Sequence, residues 1–168
     1  MQISMYAASV PVFAKMLGNL SAILDKAAAY AEQKKFDPAV LLNARLYPDM
    51  FALAKQVQIA CDFAKGAVAR LAGEEPPKYE DNETTIAELK ARIVRTIDYI
   101  RGFEPAQLDG SEAREVELKI RGETVKYPGM TYLLQVATPN FYFHVTTAYG
   151  ILRHNGVELG KRDFVGQV

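Results

Sequence analysis

Four stretches of this chain repeat apolar residues every three or four positions, a spacing that dictates helices with one apolar side each. In the first, Val10, Phe13, Leu17, Leu20, Leu24, Ala27 and Ala31 keep that spacing, with Ser9 placed to cap and Pro11 in the first turn. A helix is predicted from about Ser9 to Gln33. The second stripe runs through Leu53, Val57, Ala60, Cys61, Ala64, Val68 and Leu71, from Asp49 as N-cap to Gly73. The third, Ile86, Leu89, Ile93, Ile97 and Ile100, opens on a capping box of Thr85 and Glu88 and stops at Gly102. In the fourth, Thr138 caps, Pro139 takes the first helical position and Gly156 terminates. No such stripe can stay in water, and four helices of about 16 to 25 residues bury theirs by closing into a four-helix bundle.

The connections are legible in less detail. Phe36 to Pro48, with Asp37-Pro38 and a short apolar turn, is an ordered connector with room for one helical turn, and Glu74 to Asn82, with Pro76-Pro77, is a surface connection. Between the third and fourth helices Val116, Leu118 and Ile120 alternate with Glu117, Lys119 and Arg121, and Gly122 permits a turn before Thr124 to Tyr127. That pattern predicts a small, half-exposed hairpin. Met130 to Ala137 fits either a strand or a helical lead-in, and the tail Val157 to Val168 carries too little pattern to assign. With no internal repeat, the expectation is an all-α chain folded as one domain over residues 1–168.

Twenty basic residues balance twenty acidic ones, so no global field draws in nucleic acid, an anionic membrane or a strongly charged substrate. No run approaches the roughly 18 apolar residues of a spanning helix. The lone cysteine, Cys61, has no intramolecular partner, and the N-terminus lacks a basic region followed by a long apolar run. A cytoplasmic location is therefore expected.

The chemistry-bearing residues are few. Phe141, His144, Ala148 and Ile151 share one face of the fourth helix, with Thr147 and Leu152 at its edges, so His144 points inward. Burial favours its neutral ring, which serves as a metal ligand, a proton acceptor or a hydrogen-bonded core residue. His154 is ten residues on, about 15 Å along a straight helix, too far to share one metal with His144, and suits the helix C-terminus instead. Gln58, Asp62 and Lys65 follow at helical spacing on the flank of the second stripe, lining either a polar pocket or a solvated flank with a weak Asp62 to Lys65 pair. Cys61, on the stripe itself, is a core residue. Tyr142, Tyr149 and Arg153 lie opposite His144 and suit contact with another subunit or with the tail.

Residues 48–66, PDMFALAKQVQIACDFAKG, and residues 139–164, PNFYFHVTTAYGILRHNGVELGKRDF, resemble the blocks of a bacterial domain-of-unknown-function family related to the DinB-like, or YfiT-like, bundles. The resemblance implies a DinB-like up-down four-helix bundle, with the hairpin between helices three and four, and often a homodimer. In better-understood members of that superfamily three histidines bind a divalent metal, and some transfer or isomerise substrates with a low-molecular-weight thiol. Carried onto this chain, the second-helix histidine is matched by Gln58 and the fourth-helix pair by His144 and Ala148, so one donor of three survives. Zinc and nickel prefer nitrogen and sulfur donors that Gln58 and Ala148 do not supply. The leading expectation is thus a small polar ligand held by His144, Gln58 and Asp62 in a cavity between the second and fourth helices, with no cofactor required. The alternatives are a divalent-metal enzyme, thiol-dependent and transferase-like, with His144 as its metal residue, and a non-catalytic dimeric interaction protein.

Overall fold

Each apolar stripe becomes a helix in the computed structural model, which describes residues 3–120 and 122–167, with the backbone alone at Ile120. Helix α1 spans Val10–Lys34 with Pro11 in its first turn. Ser9 stands at the N-cap position, but its hydroxyl donates backwards to the Met5 carbonyl at 2.6 Å. The connector supplies its one helical turn as α2, Ala39–Asn43. Helix α3 spans Leu53–Ala72, and its N-cap is Ala52, not Asp49. The start is displaced because the connector folds back on it: the Leu53 amide donates to the Ala44 carbonyl at 2.9 Å. Helix α4, Ile86–Arg101, opens on the expected capping box, Glu88 N–H to Thr85 Oγ1 and Thr85 N–H to Glu88 Oε2.

A single turn, α5 (Pro105–Leu108), leads to the hairpin of β1 (Glu115–Ile120) and β2 (Glu123–Pro128), antiparallel with Val116 opposite Tyr127 and Leu118 opposite Val125. Val116 is buried between exposed Glu115 and Glu117, and Leu118 is half-buried, as alternation on a half-covered ribbon requires. The part of that pattern carried by the side chains of Ile120 and Arg121 lies outside the described residues.

The fourth long helix departs from the sequence expectation. Thr138 is not its cap: Thr138 sits in helical geometry, φ −62° and ψ −48°, inside a rod that begins at Gly129. The rod is α6 (Gly129–Thr131), a π-helical segment over Tyr132–Ala137, and α7 (Thr138–His154). A proline inside an α-helix offers no N–H to the carbonyl four residues back and its ring presses on it. Widening the preceding turn accommodates Pro139, and the side-chain amide of Asn140 takes the Val136 carbonyl at 2.7 Å. At the far end Asn155 is the C-cap and Gly156, at φ +91°, turns the chain in the left-handed region, so the expected terminator does its work. The tail forms α8, Lys161–Val165, held to α1 by Asn19 on the Phe164 carbonyl and by Lys26 on Asp163.

In the bundle α1 packs against α4 and α7, and α3 against the same two helices. Helices α1 and α7 run parallel, with Phe13 on Phe141 near one end and Tyr30 against Gly156 near the other. Helices α3 and α7 run antiparallel, Gln56 meeting His144 and Arg70 meeting Tyr132. Lys55 to Asp81, Gln58 to Glu83, Asp62 to Arg92 and Arg114 to Leu71 climb α3 in the order of the chain that follows it. The strap of residues 73–85 therefore doubles back along α3, and α4 runs beside α3 in the same direction. The side chains between the helices form one hydrophobic cluster that includes Phe13, Leu17, Leu20, Val57, Ile93, Phe141 and Ile151. No helix of the described residues is long and apolar enough to cross a membrane.

Candidate functional site

His144 faces inward from α7 and is 8% exposed, as its place on the apolar stripe requires. Its Nδ1 lies 2.7 Å from Oε1 of Gln56, itself 1% exposed on α3. The carboxamide is oriented by its other end, where Nε2 donates to the Phe51 carbonyl at 3.0 Å. Oε1 accepts only, so Nδ1 carries the imidazole proton and Nε2 keeps its lone pair. Nε2 has no hydrogen-bond partner among the described residues, yet it is not among the solvent-sealed unpaired atoms, so it reaches water. Burial lowers the His144 pKa below that of a free imidazole and keeps the ring neutral. The ring stacks on Phe63 at 5.9 Å and meets the edge of Phe143 at 5.2 Å. The result is an oriented proton acceptor between two aromatic rings.

Gln58 and Asp62 turn to the other flank of α3, and no hydrogen bond joins either to His144 among the described residues. Two positions along a helix are about 200° of rotation. Gln58 donates to Glu83 at 2.9 Å and Asp62 accepts from Lys65 at 2.5 Å and from Arg92 at 2.9 Å. This flank is not solvated: Gln58 and Lys65 are buried, and the Arg92 side chain is 2% exposed beneath the strap, bonded to Asp62, Asp81, Glu83 and the Glu80 carbonyl. Burial disfavours the charged guanidinium, but the Glu83 bond and the Asp62 charge outweigh it and raise the Arg92 pKa. Tyr79 of the strap lies under three cations, with the Arg95 guanidinium 3.9 Å and Lys65 Nζ 4.8 Å from its ring centre. Asp62 and Lys65 thus belong to an ion network, its cations buried and its carboxylates partly exposed, that fastens the strap.

The remaining candidates divide cleanly. Cys61 is fully buried, and burial pushes its thiol up to about 12, which leaves no thiolate near neutral pH. His154 is exposed in the last turn of α7, where a basic residue meets the helix dipole. Tyr149 packs edge-on against Phe164 of the tail at 5.8 Å, while Arg153 stays exposed. Ala148 is wholly buried in the core.

A cleft of about 790 Å³ opens between α3, the π-helical segment and the hairpin. Asp62, Phe63 and Arg70 line it from α3, Tyr132, Val136 and Asn140 from the other wall, and Glu117 and Lys119 from β1. Phe63 joins the two features, since its ring both walls the cleft and stacks on His144. Sequence reasoning missed Gln56, Phe63 and Arg70. Their shared helical phase was the available sign: positions 56, 63 and 70 fall on one line along α3, seven residues apart.

Residues 5–165 match the family described as a domain of unknown function, DUF1993. The chain belongs to this family. No curated protein matches it. The DUF1993 chain is also similar to a crystal structure of a DinB family member protein from Shewanella denitrificans, with 49% identity over 97% of this chain and 92% of that chain and a TM-score of 0.88. In this DUF1993 member the donors do not suit a three-ligand divalent metal. His144 offers one nitrogen, Ala148 is apolar core, and the Gln58 amide is committed to Glu83. Among the described residues no three His, Cys, Asp or Glu side chains gather as a metal would require.

Proposed function

We propose that this protein binds a small polar ligand in the cleft between α3 and α7, with Nε2 of His144 as the acceptor that orients it and with no bound metal required. The observation that carries the reading is the chain of contacts from the Phe51 carbonyl through Gln56 to His144 Nδ1, which fixes one tautomer and leaves the other nitrogen free at a water-accessible edge. A histidine kept only for packing has no need of a dedicated tautomer lock on one nitrogen and an open lone pair on the other. Phe63 supports this reading as the residue shared by the two features, its ring lining the cleft on one hand and stacking on His144 on the other, and Asp62 lines the same cleft. Gln58 enters only through Glu83, as part of what holds the strap.

The test is a thermal-shift screen of polar metabolites on tag-free protein, repeated on His144→Ala. A ligand at a hundred times its Kd stabilises the native state by about 2.7 kcal/mol, roughly 5–11 °C for a chain of this size. The reading expects such a hit with wild type and its loss in His144→Ala. Hits that shift both proteins equally would refute it. Elemental analysis of protein purified without chelators is expected to find substoichiometric metal; one atom per chain, lost in His144→Ala, would restore the metalloenzyme alternative.

A further inference from the structure

Arg70 is a half-buried cation of the cleft with no carboxylate partner among the described residues. The other half-buried or buried cations on this side of the molecule, Lys65 and Arg92, each touch a carboxylate, but among the described residues no carboxylate lies within ion-pair distance of Arg70. Of its five donors one is used among the described residues, Nη1 to the phenol oxygen of Tyr132 at 3.2 Å. Because the guanidinium can only donate, the Tyr132 oxygen accepts there and keeps its own O–H to give. Tyr132 is 1% exposed and lines the cleft, and burial raises its pKa, so that proton stays on the oxygen at neutral pH.

The seat of Arg70 is built into the helix. Gly66 lies one turn before it in the middle of α3, where glycine is a poor helix former. A Cβ added at Gly66 would stand 2.4 Å from Arg70 Nη1, and it would meet no other residue within 4 Å. The absent side chain is thus the space in which the guanidinium lies flat on the helix, aimed at Tyr132 and the cleft. Of the three carboxylates that line the cleft, Asp62 is engaged with Lys65 and Arg92 and Glu117 with Lys126, while Glu75 lies beyond ion-pair distance of Arg70. Lys119 of β1 adds a second cation on the facing wall.

We propose that Arg70 and Tyr132, seated by Gly66, form an oxyanion subsite of the cleft, so that its ligand carries a carboxylate or phosphate group. The guanidinium supplies a planar fork of N–H donors and the phenol one O–H, a set matched to two or three oxygens of one anionic group. The proposal rests on the reading of the cleft as a small-ligand site, but it uses residues separate from His144 and is tested apart from it.

The experiment is a titration of ¹⁵N-labelled protein with sodium acetate and, separately, inorganic phosphate, against sodium chloride at matched ionic strength, following the Arg70 Nε–H resonance. Acetate or phosphate is expected to shift that resonance saturably and chloride is not; whichever anion saturates at the lower concentration names the group. Arg70→Gln is expected to weaken binding by about tenfold or more, the worth of a charge-assisted bond. Arg70→Lys and Tyr132→Phe should weaken it less. Gly66→Ala adds a milder perturbation: alanine favours the helix, so the protein should melt no lower than wild type, while the added Cβ pushes the flexible end of Arg70 aside and anion affinity should fall by less than in Arg70→Gln. A wild-type response that never saturates, or equal affinity in Gly66→Ala, Arg70→Gln and wild type, would overturn the subsite. Ligand hits that shift wild type and His144→Ala equally, with the Arg70 titration intact, would instead remove only the reading of the preceding section.

Discussion

Replacing Gln56 with methionine keeps the volume and flexibility of the side chain and removes both of its hydrogen bonds, to His144 and to the Phe51 carbonyl. The two losses are unequal. Phe51 is 56% exposed and water can rehydrate its carbonyl, whereas the Nδ1–H of His144 is left facing a thioether on the buried side of the ring, where Gln56 is 1% exposed. An unpaired buried N–H costs about 1–3 kcal/mol, so a value near 2 kcal/mol is expected, or a melting temperature lower by roughly 4–8 °C. The ring has one way to limit the loss. With its acceptor gone, the proton moves to Nε2, where water accepts it, and Nδ1 becomes the bare nitrogen. The imidazole ¹⁵N shifts of His144 read this directly, since protonated and unprotonated ring nitrogens are well separated. Gln56→Met should therefore melt lower and exchange the two nitrogens, and it should lose ligand hits that depend on an open Nε2. Unchanged tautomer together with unchanged melting would show that Gln56 does not set the state of His144. Gln56→Glu tests the same bond from the other side: a carboxylate 2.7 Å from Nδ1 favours the imidazolium and should raise the His144 pKa.

Two further outcomes follow from groups held in the interior. The buried Arg92 faces Asp62, Asp81 and Glu83, so Arg92→Met leaves these carboxylates, themselves 11–39% exposed, with only Lys65, Lys55 and Gln58 as partners; the remaining partners and partial hydration bring the cost below that of a sealed pair, to about 2–3 kcal/mol, and limited proteolysis should cut within residues 74–85, whereas an uncut strap would show that Arg92 does not fasten it. The lowered His144 pKa means that, as pH falls below about 6.5, the unfolded chain takes up a proton that the native chain does not, so stability is complete above that pH and declines toward the native pKa; urea unfolding should show this slope in wild type, and the same slope in His144→Gln would assign it elsewhere.

The helices were legible because each buries a continuous stripe, a property of the sequence within twenty residues or so. The capping box of Thr85 and Glu88 was legible for the same reason, both partners being three residues apart. What failed to show was every feature whose cause lies at a distance. The flank of Gln58, Asp62 and Lys65 carries polar residues that solvent explains equally well, and only the strap that doubles back over it buries them. Asp49 has the chemistry of a cap, but the fold of residues 44–52 decides where α3 begins. Thr138-Pro139 has the form of a helix start, and the helix passes through it because the π-helical turn in front removes the conflict that proline would create. Gln56 was overlooked as a polar interruption of an apolar stripe, when its phase with positions 63 and 70 placed it opposite α7. His144 itself was legible as an inward-facing residue, though its partner was not.

The wide turn over Tyr132–Ala137 also sets a phase. One residue more than an α-helix would use has been taken up there, and each residue turns a helix by about 100°. The residue that opens it, Tyr132 on Arg70, is clocked to one angle, and everything after it, including Asn140 and His144 on Gln56, to another. Shortening that segment by a single residue would leave a regular rod and an intact Arg70–Tyr132 pair while swinging His144 a quarter of a turn or more off Gln56. The alignment of the two ends of the cleft is thus written as one surplus residue, a difference that natural variation can make or erase in a single deletion.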